Sequence, residues 1–149
     1  MSGFEIGTDG PQVIVVGIDG SDTSLRAAAY AWGLARRQGS ELIFVFVADT
    51  GAITSFLPDA TVSALQAREE VGIELRERMT KVAESLHPRV PHTFRSDRGD
   101  AASVLIRIAD EVRADAVVVG SSAQAGHRFI GSVAVRLVRA GRWPVTVVP

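Results

Sequence analysis

Short apolar runs alternate along this chain with longer stretches of helical period. Val13-Ile14-Val15-Val16 forms the first run, within residues 12–18, and Leu42-Ile43-Phe44-Val45-Phe46-Val47 the second, within 41–48. Later runs are Val117-Val118-Val119, closed by Gly120, and the stretch 143–148. Unbroken apolar runs of this length, bounded by polar residues or glycine, read as strands buried on both faces of a parallel sheet. Residues 90–95 alternate and carry polar side chains, which predicts an edge strand.

Between the strands the period changes to that of helices. Leu25, Ala28, Trp32 and Ala35 recur at helical spacing, with Arg26, Arg36 and Arg37 outside, Ser21 or Thr23 placed to cap and Gly39 to stop. Residues 61–86 predict a long helix after a turn-rich loop at 49–59. Val71, Leu75, Met79, Val82 and Leu86 make its apolar stripe, opposite a charged face from Arg68 to Arg78. A third helix opens at Gly99-Asp100 and turns Val104, Leu105, Ile108, Ala109 and Val112 inward; a fourth covers 133–140. Strands alternating with helices predict an α/β fold, a parallel sheet with right-handed crossovers and helices on both faces. Residues 1–11, rich in glycine, serine and acidic residues, read as a flexible N-terminal arm, and 12–149 as a single domain.

Composition narrows the chemistry. The 149 residues suit one domain with a real core. A net charge of −1 supplies no general attraction for nucleic acid or an anionic membrane. The absence of cysteine removes disulfides, thiolate metal sites and cysteine nucleophiles. No apolar run approaches the roughly 18 residues of a membrane span, and the N-terminus lacks a basic-then-apolar leader. A cytoplasmic protein is the expectation.

Ligands of such sheets sit beyond the carboxyl ends of the strands, where the winding reverses. Strand one ends at Gly17-Ile18-Asp19-Gly20-Ser21, and strand four runs into a glycine-bearing segment from Gly120 and Ser121 to Gly131, Ser132 and Val133. A strand, a glycine loop and a helix start can hold phosphate through orphan N–H groups and the positive end of the helix dipole. The same pattern also serves a connection that needs glycine only for turning. Asp19 suits a ribose hydroxyl or Mg²⁺; as an Asp-Gly-Ser turn it is equally suited to backbone N–H groups. His127 and Arg128 add positive charge inside the loop beside Gly126. Arg136, Arg139 and Arg142 read as a solvated helix face, His87 and His92 as surface residues, and Trp32 and Trp143 as core or interface. No nucleophile elbow, Gly-Lys-Ser/Thr phosphate loop, zinc helix or dinucleotide fingerprint occurs. Catalysis therefore stays open only as weak nucleotide hydrolysis, with Asp19 the one candidate base.

Taken together, Val15-Val16-Gly17-Ile18-Asp19-Gly20-Ser21, Asp115-Ala116-Val117-Val118-Val119-Gly120-Ser121, Gly131-Ser132-Val133 and the ending Trp143-Pro144-Val145-Thr146-Val147-Val148-Pro149 resemble the universal stress protein family over nearly the whole chain. The resemblance implies a Rossmann-like, adenine nucleotide alpha hydrolase-like fold with five parallel strands in the order 3-2-1-4-5. It implies a stress-response protein that forms a homodimer through the last strand, Pro144 to Val148, and leaves room for an unknown protein partner, while the charge balance already argues for no nucleic-acid or membrane partner. It further implies ATP or another adenine nucleotide, with Mg²⁺, between strands one and four. By this likeness Asp19 contacts ribose or metal, Gly17 precedes it, Val47 lines the adenine, and Gly120, Ser121, Gly131, Ser132 and Val133 surround the phosphates. The sequence departs from the family's Gly-x2-Gly-x9-Gly-Ser/Thr loop: Ala123 stands for the second glycine, and seven residues rather than nine precede Gly131. Gly126 could restore the flexibility, with His127 and Arg128 adding charge. A branch of the family without the glycine pattern is free of nucleotide and acts through protein contacts; a plug of Ala125 or Phe129 in the crevice would favour that alternative.

Overall fold

The computed structural model describes residues 10–49, 58–124 and 127–149. In chain order the elements are β1 (Val13–Ile18), α1 (Asp22–Gln38), β2 (Glu41–Ala48), α2 (Pro58–Ser85), β3 (His92–Arg98), α3 (Ala101–Glu111), β4 (Ala116–Gly120), β5 (Ser122–Gln124), β6 (His127–Phe129), α4 (Ser132–Ala140) and β7 (Val145–Val148). Five strands form one parallel sheet in the order β3-β2-β1-β4-β7. This is the expected 3-2-1-4-5 sheet, with β7 as its fifth strand.

Strand alternation divides the core in two. Ile14, Val16 and Ile18 of β1 and Leu42, Phe44 and Phe46 of β2 point to one face, against Ala27, Ala28, Ala31 and Ala35 of α1 and Leu75 of α2. Val15, Ile43, Val45, Val117 and Val119 point to the other, against Leu105 and Ile108 of α3 and Ala134 and Leu137 of α4. Because successive side chains leave a strand on opposite sides, unbroken apolar runs are what a sheet covered on both faces requires. The alanine face of α1 brings that helix close to the sheet. Gly39, at φ +70°, ends it in the left-handed conformation, its N–H bonded to the carbonyl of Ala35.

Several boundaries and one stripe differ from expectation. The edge strand lies at 92–98 rather than 90–95, the last strand opens at Val145 rather than Trp143, and α2 opens at Pro58. The segment between β4 and α4 is not a plain loop: β5 and β6 pair antiparallel, Ser122 opposite Phe129, Ala123 opposite Arg128 and Gln124 opposite His127. On α2, Leu75 and Ala83 are buried and Met79 packs on the core, while Val71 and Val82, and Leu86 just past the helix end, are exposed. The predicted stripe is rotated because Gly72 faces the sheet; a Cβ there would lie 2.7 Å from the ring of Phe46. The absent side chain lets the helix seat on that ring. Most of the arm expected at 1–11, residues 1–9, lies outside the described residues, as does 50–57 of the loop before α2. No helix among the described residues is long and apolar enough to cross a membrane.

The two sheet borders differ in character. On β3, Arg95 pairs with Glu111, and Asp97 with Arg107. The residues of β7 are Val-Thr-Val-Val, without a charge.

Two helical glycines should answer oppositely to alanine. At Gly33 the added Cβ meets only the mobile end of Arg37, so Gly33→Ala is expected to stabilise by up to about 1 kcal/mol through helix propensity. At Gly72 the same change overpacks a buried ring, and Gly72→Ala is expected to lose about 1 kcal/mol net, an overpacking cost of roughly 1–3 kcal/mol less that propensity gain. Urea denaturation of both variants reads the difference; a stabilised Gly72→Ala would refute the account of α2.

Candidate functional site

The chain leaves β1 through a turn that the sequence builds from small polar residues. Asp19 Oδ1 accepts from the Ser21 N–H at 2.8 Å, Gly20 takes φ +86°, and Ser21 caps α1 by accepting from the Ser24 N–H at 3.2 Å. The Ser24 hydroxyl donates to the Ser21 carbonyl at 3.0 Å and accepts from the Asp19 N–H at 3.2 Å. Burial by itself would raise the Asp19 carboxyl, but hydrogen bonds from Ser21 and Ser24, with the charge of Arg68, hold it below the usual carboxylate range. Asp19 is thus ionised at neutral pH and accepts hydrogen bonds. Both readings of this residue are realised at once: one oxygen closes the turn, and the side chain still lines the crevice beyond the strand ends.

Opposite it, β4 ends against the first turn of α1. A Cβ on Gly120 would fall 2.6–2.8 Å from backbone atoms of Thr23 and Ser24, so no side chain fits. The Thr23 hydroxyl crosses the contact and donates to the Ser121 carbonyl at 2.7 Å. Gly120 therefore serves close packing of helix on strand as well as lining the crevice. The Ser121 N–H donates to the Val148 carbonyl at 2.7 Å. Its hydroxyl is buried at the crevice wall and has no hydrogen-bond partner among the described residues. Such a group carries a desolvation cost of about 1–3 kcal/mol.

The third contributor is the start of α4. Its N-cap is Gly131, at φ −66° and ψ 163°, and no side chain caps the helix. Gly131 matters here for space: a Cβ would press on the Cβ of Ser122 at 3.0 Å. The other helices near the crevice are capped. Ser21 caps α1, and Asp100 caps α3 by accepting from the Ser103 N–H at 2.9 Å. The Asp100 carboxyl is lowered to about 2 by the Ser103 hydroxyl and amide and by Arg136, which bonds it at 2.5 Å. Arg136 is thereby paired away from the crevice, and Arg142 pairs with Asp110. At α4 the first-turn N–H groups and the positive dipole end stay open to the crevice.

The resulting cavity holds about 200 Å³. Gly17, Asp19, Val47, Gly120, Ser121, Gly131, Ser132 and Val133, all expected from the sequence, line it together. Gly126 and Ala125 lie outside the described residues, and His127 and Arg128 stand on β6 in register with Gln124 and Ala123. Sequence reasoning missed Thr23, Ser24 and Ser122 as lining residues, and Leu105 and Val119 as the apolar floor. The signal for the first two was present: hydroxyl side chains four and five residues after Asp19. Among the described residues no group of three potential metal ligands occurs, and Asp19 is the only ionisable side chain on the described lining.

Comparison with known proteins gives a consistent picture. The family model described as the universal stress protein family matches residues 11–149. A universal stress protein of Methanocaldococcus jannaschii is 29% identical over 138 residues, covering 91% of this chain and 80% of that protein. A universal stress protein of Mycobacterium tuberculosis is 35% identical over 136 residues, 90% of this chain, which spans only 44% of that longer relative. Among solved structures, the universal stress protein UspA from Lactobacillus plantarum superposes with a TM-score of 0.77 at 24% identity, covering 93% of this chain and 97% of its own. A universal stress protein solved in complex with cAMP does so with a TM-score of 0.63 at 30% identity, again over 93% and 97%.

Gly120→Ala should lose stability in the absence of any ligand, by roughly 1–3 kcal/mol or more, because the obstructing atoms are backbone. Thermal unfolding of the purified variant measures this. An unchanged midpoint would return Gly120 to a purely ligand-contacting role.

Proposed function

Because this chain belongs to the universal stress protein family, we propose that it is a cytosolic homodimer of the stress response that binds an adenine nucleotide in the crevice between β1 and β4. The observation that carries the reading is a convergence. An uncapped helix start and an ionised carboxylate meet at one cavity. The first wants an anion; the carboxylate wants a hydroxyl pair or a cation. A nucleoside phosphate supplies both in one molecule. The ribose hydroxyls donate to Asp19, the phosphate lies at Ser121 and the N–H groups of Ser132 and Val133, and Val47 packs on the base. Mg²⁺ arriving with the phosphate would be held by Asp19 and would offset the charge of the phosphate. The structural likeness to a family member in complex with cAMP supports the same ligand class.

The dimer half of the proposal rests on β7. Val148 accepts from Ser121 and Pro144 from Val117, so alternate residues of β7 face β4. In a parallel ladder the N–H and C=O of one residue address the same neighbour, which turns those of Val145 and Val147 outward. An apolar edge strand with outward donors is suited to antiparallel pairing with its own copy.

Calorimetric titration with adenine nucleotides, with and without Mg²⁺, should show binding that Asp19→Ala weakens about tenfold or more, the loss expected for a hydrogen bond to a charged group. No heat and no thermal shift at millimolar nucleotide would leave the nucleotide-free reading. For assembly, Val147→Pro removes an outward donor without touching the β4 ladder, so sedimentation should find a folded monomer where the parent chain is a dimer. A variant that stays dimeric would place the interface elsewhere.

A further inference from the structure

We propose that a second cavity, at the amino ends of the strands, binds a free α-amino acid with an aliphatic side chain. The cavity holds about 350 Å³, within the roughly 300–1,000 Å³ of small-molecule sites. It is lined by Ala83 and Glu84 of the last turn of α2, by Arg89, Val90 and Pro91 of the connection, and by His92, the first residue of β3. His92 stands in register with Leu42 near the start of β2, so the cavity lies at the end of the sheet away from the nucleotide crevice. Ala83 and Val90 are buried and give it an apolar floor. Glu84, Arg89 and His92 are exposed around that floor.

His92 is firmly held. Its Nδ1 lies 2.8 Å from the Val90 carbonyl, and a carbonyl only accepts, so Nδ1 donates. The neutral ring then keeps its lone pair on Nε2. The ring stands 5.3 Å from that of Trp32 and meets the ring of Phe44 edge-on at 6.1 Å, which fixes its orientation. Glu84 and Arg89 bring opposite charges to the same cavity, yet neither makes an ion pair or hydrogen bond among the described residues. Elsewhere the surface pairs such charges, Arg98 with Glu69, Arg107 with Asp97 and Arg142 with Asp110. A carboxylate and a guanidinium that share a cavity without closing on each other are complementary to a zwitterion. The ammonium of an amino acid meets Glu84 and Nε2, both acceptors. Its carboxylate meets Arg89, whose planar fork suits two oxygens. The side chain then rests on Ala83 and Val90, which favours an aliphatic one. A plain anion would be repelled by Glu84 and a plain cation by Arg89.

The test uses the full chain with L-leucine as the probe. Binding is read by the fluorescence of Trp32, whose ring neighbours His92, and by the nuclear magnetic resonance signals of the His92 ring. Leucine is expected to bind saturably, with a dissociation constant on the order of 1 mM or below. N-acetyl-leucine and leucinamide each lack one of the two charges and are expected to bind about tenfold more weakly or worse. Arg89→Gln and Glu84→Gln should weaken leucine by a similar factor and keep the parent's thermal midpoint, since both side chains are exposed. No response to leucine at about 10 mM, well above that constant, would overturn the proposal. So would an amide or acetyl form that binds as tightly as leucine, or an Arg89→Gln variant that binds leucine unchanged. The nucleotide reading is decided separately, at the other end of the sheet.

Discussion

The contact between the bare Cα of Gly120 and the backbone of Thr23 and Ser24 sets the geometry on which the crevice depends. It brings the first turn of one helix against the end of a strand with nothing between them. The Thr23 hydroxyl then bridges the contact to the Ser121 carbonyl. That bridge, with the bond from the Ser121 N–H to Val148, holds Ser121 in a position where its hydroxyl is buried but unused. A side chain at position 120 would push α1 outward and carry the Asp19 turn with it, because Ser21 and Ser24 belong to both the turn and the helix. A packing constraint thus stands behind what looks in the sequence like a ligand-binding glycine.

Helix ends show where local regularity has been given up. Two helices beside the crevice are capped by side chains, Ser21 and Asp100, and the third, α4, starts from a glycine that can cap nothing. A side-chain cap commonly contributes about 1 kcal/mol, and leaving it out is the sort of local inconsistency that marks functional positions. The buried hydroxyl of Ser121 is a second departure of the same kind, a few residues away in the chain and on the same cavity. Each would be a defect in an isolated fold. Of the two, the open helix start is the one that suits an anion.

Much of this was legible in the sequence. Runs such as Val13–Val16 and Leu42–Val47 announce strands covered on both faces, and the strand order follows once the family likeness is recognised. The convergence of Asp19 with Gly120, Ser121, Gly131 and Ser132 follows from strand ends lying side by side. What escaped did so for physical reasons. Apolar period alone put Val71 and Val82 on the inner stripe of α2; glycine carries no hydrophobic signal, so the inward position of Gly72 against Phe46 could not be read. The β5–β6 ribbon has strands of three residues, Ser-Ala-Gln and His-Arg-Phe, too short and too polar for any alternation to register. The hydroxyl of Thr23 was recognisable as a helix-start residue, but only the folded chain shows that the same turn also forms a wall of the cavity.

The unlike borders of the sheet bear on how many copies can join. Along β3, Arg95 and Asp97 are tied to Glu111 and Arg107, so another strand docking there would have to disturb charged, hydrated pairs. Along β7 no such obstacle exists. Two molecules meeting at their uncharged borders by a twofold axis would leave only guarded ones facing water. In such a pair, growth by strand addition would terminate after one step, and a chain with an open sheet would avoid the fate of a fibre without closing into a barrel.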